Sequence, residues 1–301
     1  VKVGIVVLNY NGREDTLECV RSLARIAYPA WRLTLVDNGS TVRIKDDVLA
    51  ILPGARVIER DVNEGFTGGN NIGARAALAD GADGVLLLNN DTVVDPGFLD
   101  PLVEAMRLDP RVGMATPKIY CYDSRAVLWG YGARIDRTTG RSPHIGTDET
   151  DRGQFDRIEE VDRITGCAMF VRRELFERVG FLDDRFFIYE EEIDWCLRAR
   201  RAGYRLRVVP QSIIWHKGHR DSGRIGRPFM TYLQTRNHLL LIRKHADAFV
   251  GGGLPAVAYA GLAAARGIVR GRGSWRHTRA IVEGWRDAIL GHYGRPAPHH
   301  R

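Results

Sequence analysis

The sequence predicts an α/β fold, a mostly parallel central sheet flanked by helices. Short apolar runs alternate with amphipathic, helix-length stretches through the first 115 residues, and the connections between them are short. That alternation aligns strands in parallel with helices on both faces. Three of the apolar runs also end in polar groups, Asn9-Tyr10-Asn11, Asp37-Asn38-Gly39-Ser40 and Asn89-Asn90-Asp91. The carboxyl ends of such strands share one rim of the sheet, where ligands bind. Chance capping gives one polar strand end; three in register read as a site.

In order, Val3–Leu8 reads as a buried strand and Asp15–Ile26 as an amphipathic helix. Leu33–Asp37 is predicted as the second strand, Ile44–Leu52 as a helix, and Arg56–Glu59 as the third strand. Asn70–Ala79 follows as a helix, Val85–Asn89 as a strand, and Gly97–Leu108 as a helix. Beyond these, Val112–Ile119 is strand-like, and Gly140–Phe155 is polar and loop-like, a mobile segment by expectation. Ile164–Arg172 reads as a strand, and a helix from about Glu192 to Arg201 stops at Gly203, a left-handed cap position. Leu206–Val209 and Ser212–Trp215 are predicted as short strands and Phe229–His245 as a helix. Ala248–Ala265 is uncharged but rich in Gly and Ala, too weakly apolar for a membrane span.

The 301 residues allow one large domain, or a domain with an appendage. The four cysteines show no CxxC pair or metal-ligand spacing, so free thiols in a reducing compartment are expected. No secretory signal is apparent, which predicts a cytoplasmic protein or one on the cytosolic face of a membrane. Net charge is +7, unevenly placed: from Trp215 to Arg301 the balance is +11, leaving −4 on the first 214 residues. A basic tail after an acidic body suggests a polyanion or an anionic membrane as neighbour. A solvated basic face is the bland alternative. Arg266, Arg270, Arg272, Arg276 and Arg279, just after the Gly/Ala-rich stretch, suit an interfacial helix on anionic lipid. A helix docking a partner subunit, as in a homodimer, is the rival. Nucleic acid is not expected, because the positive charge is confined to the tail and lacks the interleaved aromatics of a known module.

Five segments carry chemistry. Leu86-Leu87-Leu88 runs straight into Asn89-Asn90-Asp91; a buried strand has no structural need of that carboxylate, whereas a hard divalent cation beside phosphate takes oxygen ligands. Asn90 and Asp91 as simple turn residues are the alternative. Asp37, at the second strand end, can accept a hydrogen bond from a nucleobase imide or a ribose hydroxyl. In Asn63-Glu64-Gly65-Phe66-Thr67-Gly68-Gly69-Asn70-Asn71-Ile72-Gly73, the glycines are expected to let backbone approach a flat or anionic ligand, with Asn70 capping the next helix. Neither the dinucleotide fingerprint nor a Walker loop fits. In Glu190-Glu191-Glu192-Ile193-Asp194, the helix dipole favours the acids and Asp194 can pair with Arg198. One of these carboxylates facing the rim would act as general base, its pKa raised by its neighbours. Finally, His216 in Trp215-His216-Lys217-Gly218 is a fair ligand for a transition metal such as Mn2+.

In this order the segments resemble the inverting glycosyltransferases of family two, and within them the bacterial rhamnosyltransferase-like branch. Val6-Val7-Leu8-Asn9-Tyr10-Asn11, Val36 to Ser40, Asn63 to Phe66, Gly69-Asn70-Asn71 and Leu88 to Asp91 carry the likeness. Gly166-Cys167-Ala168-Met169, Glu191 through Arg198, Trp215-His216 and Arg236-Asn237 complete it, over roughly residues 1–245. The resemblance implies an A-type glycosyltransferase fold, Rossmann-like, binding a nucleotide-diphosphate sugar and a divalent metal, Mn2+ or Mg2+. Carried over, Asn9, Tyr10, Asn11, Asp37, Asn63, Gly69, Asn71 and Asn90 would line the nucleotide site, with Arg236 on the leaving diphosphate. Asp91 and His216 would hold the metal; Gly166, Cys167 and Trp215 would meet donor sugar or acceptor. Glu192 matches the base position, with Glu191 beside it. The chain departs from the family twice: the metal motif is Asn-Asn-Asp, with one carboxylate, and the base position reads Glu-Glu where Glu-Asp is usual, so either glutamate is a candidate base.

The implied organisation is a catalytic domain over 1–245, with a nucleotide half at 1–115 and an acceptor half at 116–245. A helical, basic extension covers 246–301. The implied donor is deoxythymidine-diphosphate rhamnose, with a uridine-diphosphate hexose or galactofuranose next. The acceptor would be a glycan or a lipid-linked glycan at the inner face of a bacterial membrane. Two alternatives are a sugar-nucleotide nucleotidyltransferase, disfavoured by the glycine-poor Asn9-Tyr10-Asn11-Gly12-Arg13, and a non-catalytic subunit of a polysaccharide assembly complex.

Overall fold

The computed structural model describes residues 1–218, 227–269 and 275–297, without the side chains of 227 and 266–269. Strand β1 (Val3–Asn9) lies between parallel neighbours β2 (Trp31–Asn38) and β4 (Gly84–Asn89), and β3 (Arg56–Arg60) adds beyond β2. Asn9 is in register with Asp37, and Leu8 with Asn89. The three polar strand ends therefore do open onto one rim. Past β4 the ten-stranded sheet is mixed. β9 (Ala168–Arg172) runs antiparallel between β4 and β6 (Val112–Cys121), and β10 (Arg205–His216) runs parallel to β6. β5 (Thr92–Val94) closes the order antiparallel to β10, and the short β7 (Leu128–Gly130) and β8 (Glu159–Glu160) pair with β6 and β10.

Both faces of the sheet are covered, as nearly continuous apolar strands require. Ile5, Val7, Leu35, Leu86 and Leu88 point to one core, packed by α1 (Arg13–Leu23) and α4 (Leu99–Leu108). Val6, Val85, Leu87 and Met169 point to the other, beneath α3 (Gly65–Ala79), α5 (Arg173–Val179) and α6 (Glu191–Arg201). α2 (Lys45–Ile51) covers the outer strands through Val48. Full burial of each large apolar side chain contributes about 1.5–3 kcal/mol.

Several boundaries differ from expectation for physical reasons. α3 begins at Gly65, not Asn70. Its glycines lower intrinsic helicity, but they let the helix lie almost on the strand: a Cβ at Gly73 would stand 2.3 Å from Val6 Cγ1, and one at Gly69 2.3 Å from Leu8 Cδ1. Asn70 is consequently inside the helix, donating to the Phe66 carbonyl, and caps nothing. The two short strands expected after residue 205 are one strand, β10, with a register shift between Val209 and Ile213 that absorbs Pro210. The strand expected from Ile164 begins only at Ala168, after a turn at Gly166 and Cys167.

After β10 come α7 (Arg227–Lys244), α8 (Leu254–Val269) and α9 (Trp275–Leu290). Leu240, Leu241, Phe249 and Ala256 share a core with Phe186, Ile193 and Leu197, and Tyr232, Leu233 and Ala280 pack on Phe187. The C-terminal helices therefore sit against α6 and the loop before it. Arg270, Arg272, 298–301 and the Arg266 side chain lie outside the described residues. Among the described residues no helix is long and apolar enough to cross a membrane. The cysteines are free; Cys121 is only half-buried, the others buried.

Gly73→Ala is expected to destabilise the protein by about 1–3 kcal/mol in equilibrium denaturation, the cost of overpacking a close helix–strand contact. An unchanged denaturation midpoint would mean that α3 can move off β1 freely.

Candidate active site

At the β1–β2 end of the rim, the polar strand ends first organise one another. Asn9 donates to Asp37 Oδ1 at 3.2 Å and to Ser40 Oγ at 3.0 Å, and its own Oδ1 accepts from Gly12 N and Thr16 Oγ1. Asn11, held at a positive φ of 53°, accepts from Thr41 N. Asn63 Oδ1 takes Asn38 Nδ2 and Gly65 N, tying the end of β2 to the start of α3. What is left to meet a ligand is specific: Asp37 Oδ2 is buried and lacks a hydrogen-bond partner among the described residues, with Arg43 Nη1 3.8 Å away. The Tyr10 side chain is exposed, one residue past Asn9, whose register partner is Asp37. A buried carboxylate oxygen without a partner is costly, and a donor from a base or ribose would relieve it.

At the β4 end, Asn90 donates to Thr16 Oγ1, while Asp91 Oδ1 meets His216 Nε2 at 3.0 Å. Burial works to raise the Asp91 pKa, but the hydrogen bond and charge of His216 outweigh it and hold the carboxyl below its usual range. Burial alone would lower His216; the Cys167 thiol and the Asp91 carboxylate outweigh that and lift it to about 10. One carboxylate and one imidazole suit a borderline divalent cation such as Mn2+, which would bind there in competition with the proton on His216. Among the described residues no cluster of three or more His, Cys, Asp or Glu is placed to hold a metal, and Asp91 and His216 are a pair brought together at this end of the rim. That donor set fits an ion completed by phosphate oxygens and water.

The acidic cluster stands at the start of α6, after a backbone with positive φ at Phe187 (65°), Tyr189 (73°) and Glu190 (72°). The three glutamates have three different surroundings. Glu190 lies 3.6 Å from His238 Nδ1. Glu191 is buried with Oε2 unpartnered among the described residues; burial pushes it well above the usual carboxylate range, and the Glu192 charge adds to this. Glu192 Oε1 accepts from Arg163 Nη1 at 2.8 Å, and Arg163 opposes the rise that burial imposes. Asp194 does pair with Arg198, at 2.8 Å, and also meets Lys244 and His245, a structural hub. A Cβ on Gly166 would stand 4.0 Å from Glu191 Oε1, so Gly166 faces the cluster.

The structure reassigns several residues expected to bind ligand. Gly69 is no cradle: its bare Cα accommodates Leu8. Asn71 is buried and clamps the chain through Leu182 and Asp184, which spends its amide away from any nucleoside. Arg236 is 1% exposed, with its guanidinium bonded to Asn237 Oδ1, Tyr232 Oη, Gly294 O and Phe186 O. Those acceptors leave it turned into the protein and away from a diphosphate. Trp215 lies under Arg125, its ring centroid 4.8 Å from the guanidinium carbon. Alternation along β10 sets it on the face opposite His216. Cys167 stays at the site, 2% exposed, against His216.

Other residues enter that the sequence did not single out. Trp129 packs edge-on against His216 at 4.5 Å between centroids, and His144 lies 4.9 Å from Trp129 on another side. Arg163 Nη2 reaches the His144 ring and donates to Ser142 O. The chain of contacts Asp91, His216, Trp129, His144, Arg163, Glu192 joins the β4 rim to the acidic cluster. The one sequence signal was a charged Arg163 beside the apolar residues leading to Gly166. Lys217 bridges to Asp15 and Glu18, pinning the end of β10 to α1.

The family model for glycosyl transferase family 2 matches residues 4–180. The chain is 27% identical over 244 residues to the low-salt glycan biosynthesis hexosyltransferase Agl10 of Haloferax volcanii, covering 79% of this chain and 74% of that protein. It is 25% identical over 265 residues to the N-acetylglucosaminyl-diphospho-decaprenol L-rhamnosyltransferase of Mycobacterium tuberculosis, covering 80% of this chain and 84% of that one. Among solved structures, S. aureus TarS 1-349 in complex with UDP-GlcNAc superposes with a TM-score of 0.65 at 14% identity, over 96% of this chain and 81% of that one. At that identity the likeness establishes the fold, the A-type glycosyltransferase architecture.

Asn237 Nδ2 donates to the carbonyls of Phe186, Ile188 and Tyr189, and so holds the strained segment from behind. Asn237→Ala is expected to lower stability by about 1–3 kcal/mol and to speed amide exchange at residues 187–190. Wild-type exchange there would show that the turn holds without the clamp.

Proposed function

This chain belongs to glycosyl transferase family 2, and on that premise we propose that it transfers a sugar with inversion from a nucleotide-diphosphate sugar to a hydroxyl of a glycan or lipid-linked acceptor. The observation that carries the reading is the train of contacts joining Asp91–His216 to Glu192 across one rim, with the Asp37 oxygen that lacks a hydrogen-bond partner among the described residues at the other end of the same rim. A nucleoside, a diphosphate and a sugar would lie in line between those ends.

Each group has a role set by its surroundings. Asp37 and Tyr10 receive the nucleoside, with Asn9, Asn11 and Asn63 fixing the strand ends around them. Asp91 and His216 would hold the divalent metal, which supplies charge stabilisation for the diphosphate. Glu192, not Glu191, is the base. Burial pushes both carboxyls up, Glu191 further, whereas Glu192 keeps some access and is held by Arg163, whose charge opposes the rise. Glu192 takes the acceptor hydroxyl proton as that oxygen bonds to the anomeric carbon. The bond to the diphosphate oxygen breaks with its electron pair, and inversion follows from the single displacement. The favoured donor is deoxythymidine-diphosphate rhamnose, supported by the rhamnosyltransferase relative, with uridine-diphosphate sugars next. Residues 1–115 would serve the donor and 116–245 the acceptor and the base.

The extension from 246 presents exposed Val250, Leu254, Leu262 and Trp275 together with exposed Arg276 and Arg279. Apolar side chains among cations suit an anionic lipid surface, which would bring the enzyme to a lipid-linked acceptor at the inner face of a membrane.

Thermal-shift screening of nucleoside diphosphates and their sugars with Mn2+, Mg2+ or chelator tests the donor site; a ligand at about 100 times its Kd adds about 2.7 kcal/mol. A metal-dependent shift with thymidine or uridine diphosphate is expected, lost in Asp91→Ala. Glu192→Gln should keep that shift while turnover falls by ~10²–10⁴-fold. No shift with any nucleotide would sink the transferase reading, and near wild-type turnover in Glu192→Gln would sink the base assignment.

Vesicle sedimentation tests the extension. The protein should pellet with phosphatidylglycerol vesicles, less so at high salt, and not with phosphatidylcholine. Equal recovery in the supernatant with both would remove the membrane role.

A further inference from the structure

Arg163 belongs to no part of the site described by the sequence motifs, yet its position is determined on every side. It is 5% exposed. Nη1 donates to Glu192 Oε1 at 2.8 Å, and Nη2 donates to Ser142 O at 2.8 Å and lies 3.3 Å from His144 Nε2. From this we infer that Arg163 is a positioning residue for the base: it fixes the Glu192 carboxylate at the rim and is itself aimed by the Ser142 carbonyl and the His144 ring. The inference rests on the transferase reading above.

The charges around Glu192 make the role specific. Glu190 and Glu191 flank it in sequence, Cys196 lies one turn along α6, and Arg163 faces it from the segment before β9. Glu190 is engaged with His238. Among the described residues Arg163 is thus the one cation bonded to Glu192. Burial beside the guanidinium drives His144 down to about 3, so the imidazole is neutral and meets Arg163 with a lone pair and no competing charge. Arginine suits the place, because its rigid planar fork fixes the directions of the bonds to the carboxylate and the carbonyl, which a flexible lysine ammonium does not. His144 leans on Trp129, and Trp129 on His216. The same packing that seats Arg163 therefore seats the imidazole at the far side of the sugar position.

The sign of the effect follows from charge. Without Arg163 the carboxylate loses its counter-ion, the Glu192 pKa rises, and the base form survives only at higher pH. The test is a carbon-13 titration of glutamate side-chain carboxyls, with Glu192 assigned by the resonance lost in Glu192→Gln. Release of nucleoside diphosphate from deoxythymidine-diphosphate rhamnose and uridine-diphosphate hexoses is followed across pH in parallel. In Arg163→Met the Glu192 midpoint should rise by about 1–3 pH units, and the acidic limb of the rate profile should move up by the same amount. The nucleotide-induced thermal shift should not change. An unmoved midpoint in folded Arg163→Met overturns the inference. Arg163→Lys, which keeps the charge and the fold more readily, should leave the carboxylate ionised and slow turnover; wild-type turnover in it also overturns the inference. A wild-type protein that releases no nucleoside diphosphate, with a Glu192 midpoint that still follows Arg163, would mean that the transferase reading has failed while the pairing stands.

Discussion

The site depends on a backbone that is held where it would not choose to be. Phe187, Tyr189 and Glu190 all have positive φ, and for residues with side chains each such position costs on the order of 1–3 kcal/mol. The segment persists because partners from several directions fix its carbonyls. Asn237 takes three of them, Arg236 adds a bond to Phe186, and Thr67 N at the start of α3 reaches Phe187 O. Gly65 is required there too, since a Cβ would come within 2.5 Å of Phe187. This turn sets the direction in which α6 begins, and hence where Glu191 and Glu192 point.

A run of three glutamates would by itself be a repulsive cluster. The fold gives each a different electrostatic surrounding: an imidazole for Glu190, burial for Glu191, a guanidinium for Glu192. Separation of neighbouring carboxyls by environment is how one segment can divide different roles among like side chains. Asp194, one turn on, is wholly structural, because Arg198, Lys244 and His245 consume its charge. The residues that look alike in sequence are therefore unlike in chemistry.

What could be read from the sequence was what local pattern determines. The strand ends at Asn9, Asp37 and Asp91 were legible because a buried apolar run that stops at a polar group specifies both the strand and its rim. The Asp194–Arg198 pair was legible because helical spacing alone brings it together. Gly69, Asn71 and Arg236 were misread because their partners are distant in sequence: Leu8, Leu182 and Phe186 appear beside them only after the chain folds. Motif position placed these residues near the site but could not distinguish a ligand from the frame that holds the ligand's neighbours. Arg163 and His144 were missed for the complementary reason, since each acts through a contact no local spacing announces.

The C-terminal helices are joined to this frame and are more than a tether. His245 is fully buried against Asp194, and Phe249 and Ala256 complete a core begun by Phe186, Ile193 and Leu197. His238 and Asn237, one residue apart on α7, address Glu190 and the strained turn respectively. A force or ligand that shifts α7 would thus act on the backbone leading into Glu191 and Glu192. If the surface beyond α7 meets a membrane, docking and the geometry of Glu192 would be linked through α7. The positions most sensitive to that coupling are those where α7 touches the turn, not the exposed arginines that would make the lipid contact.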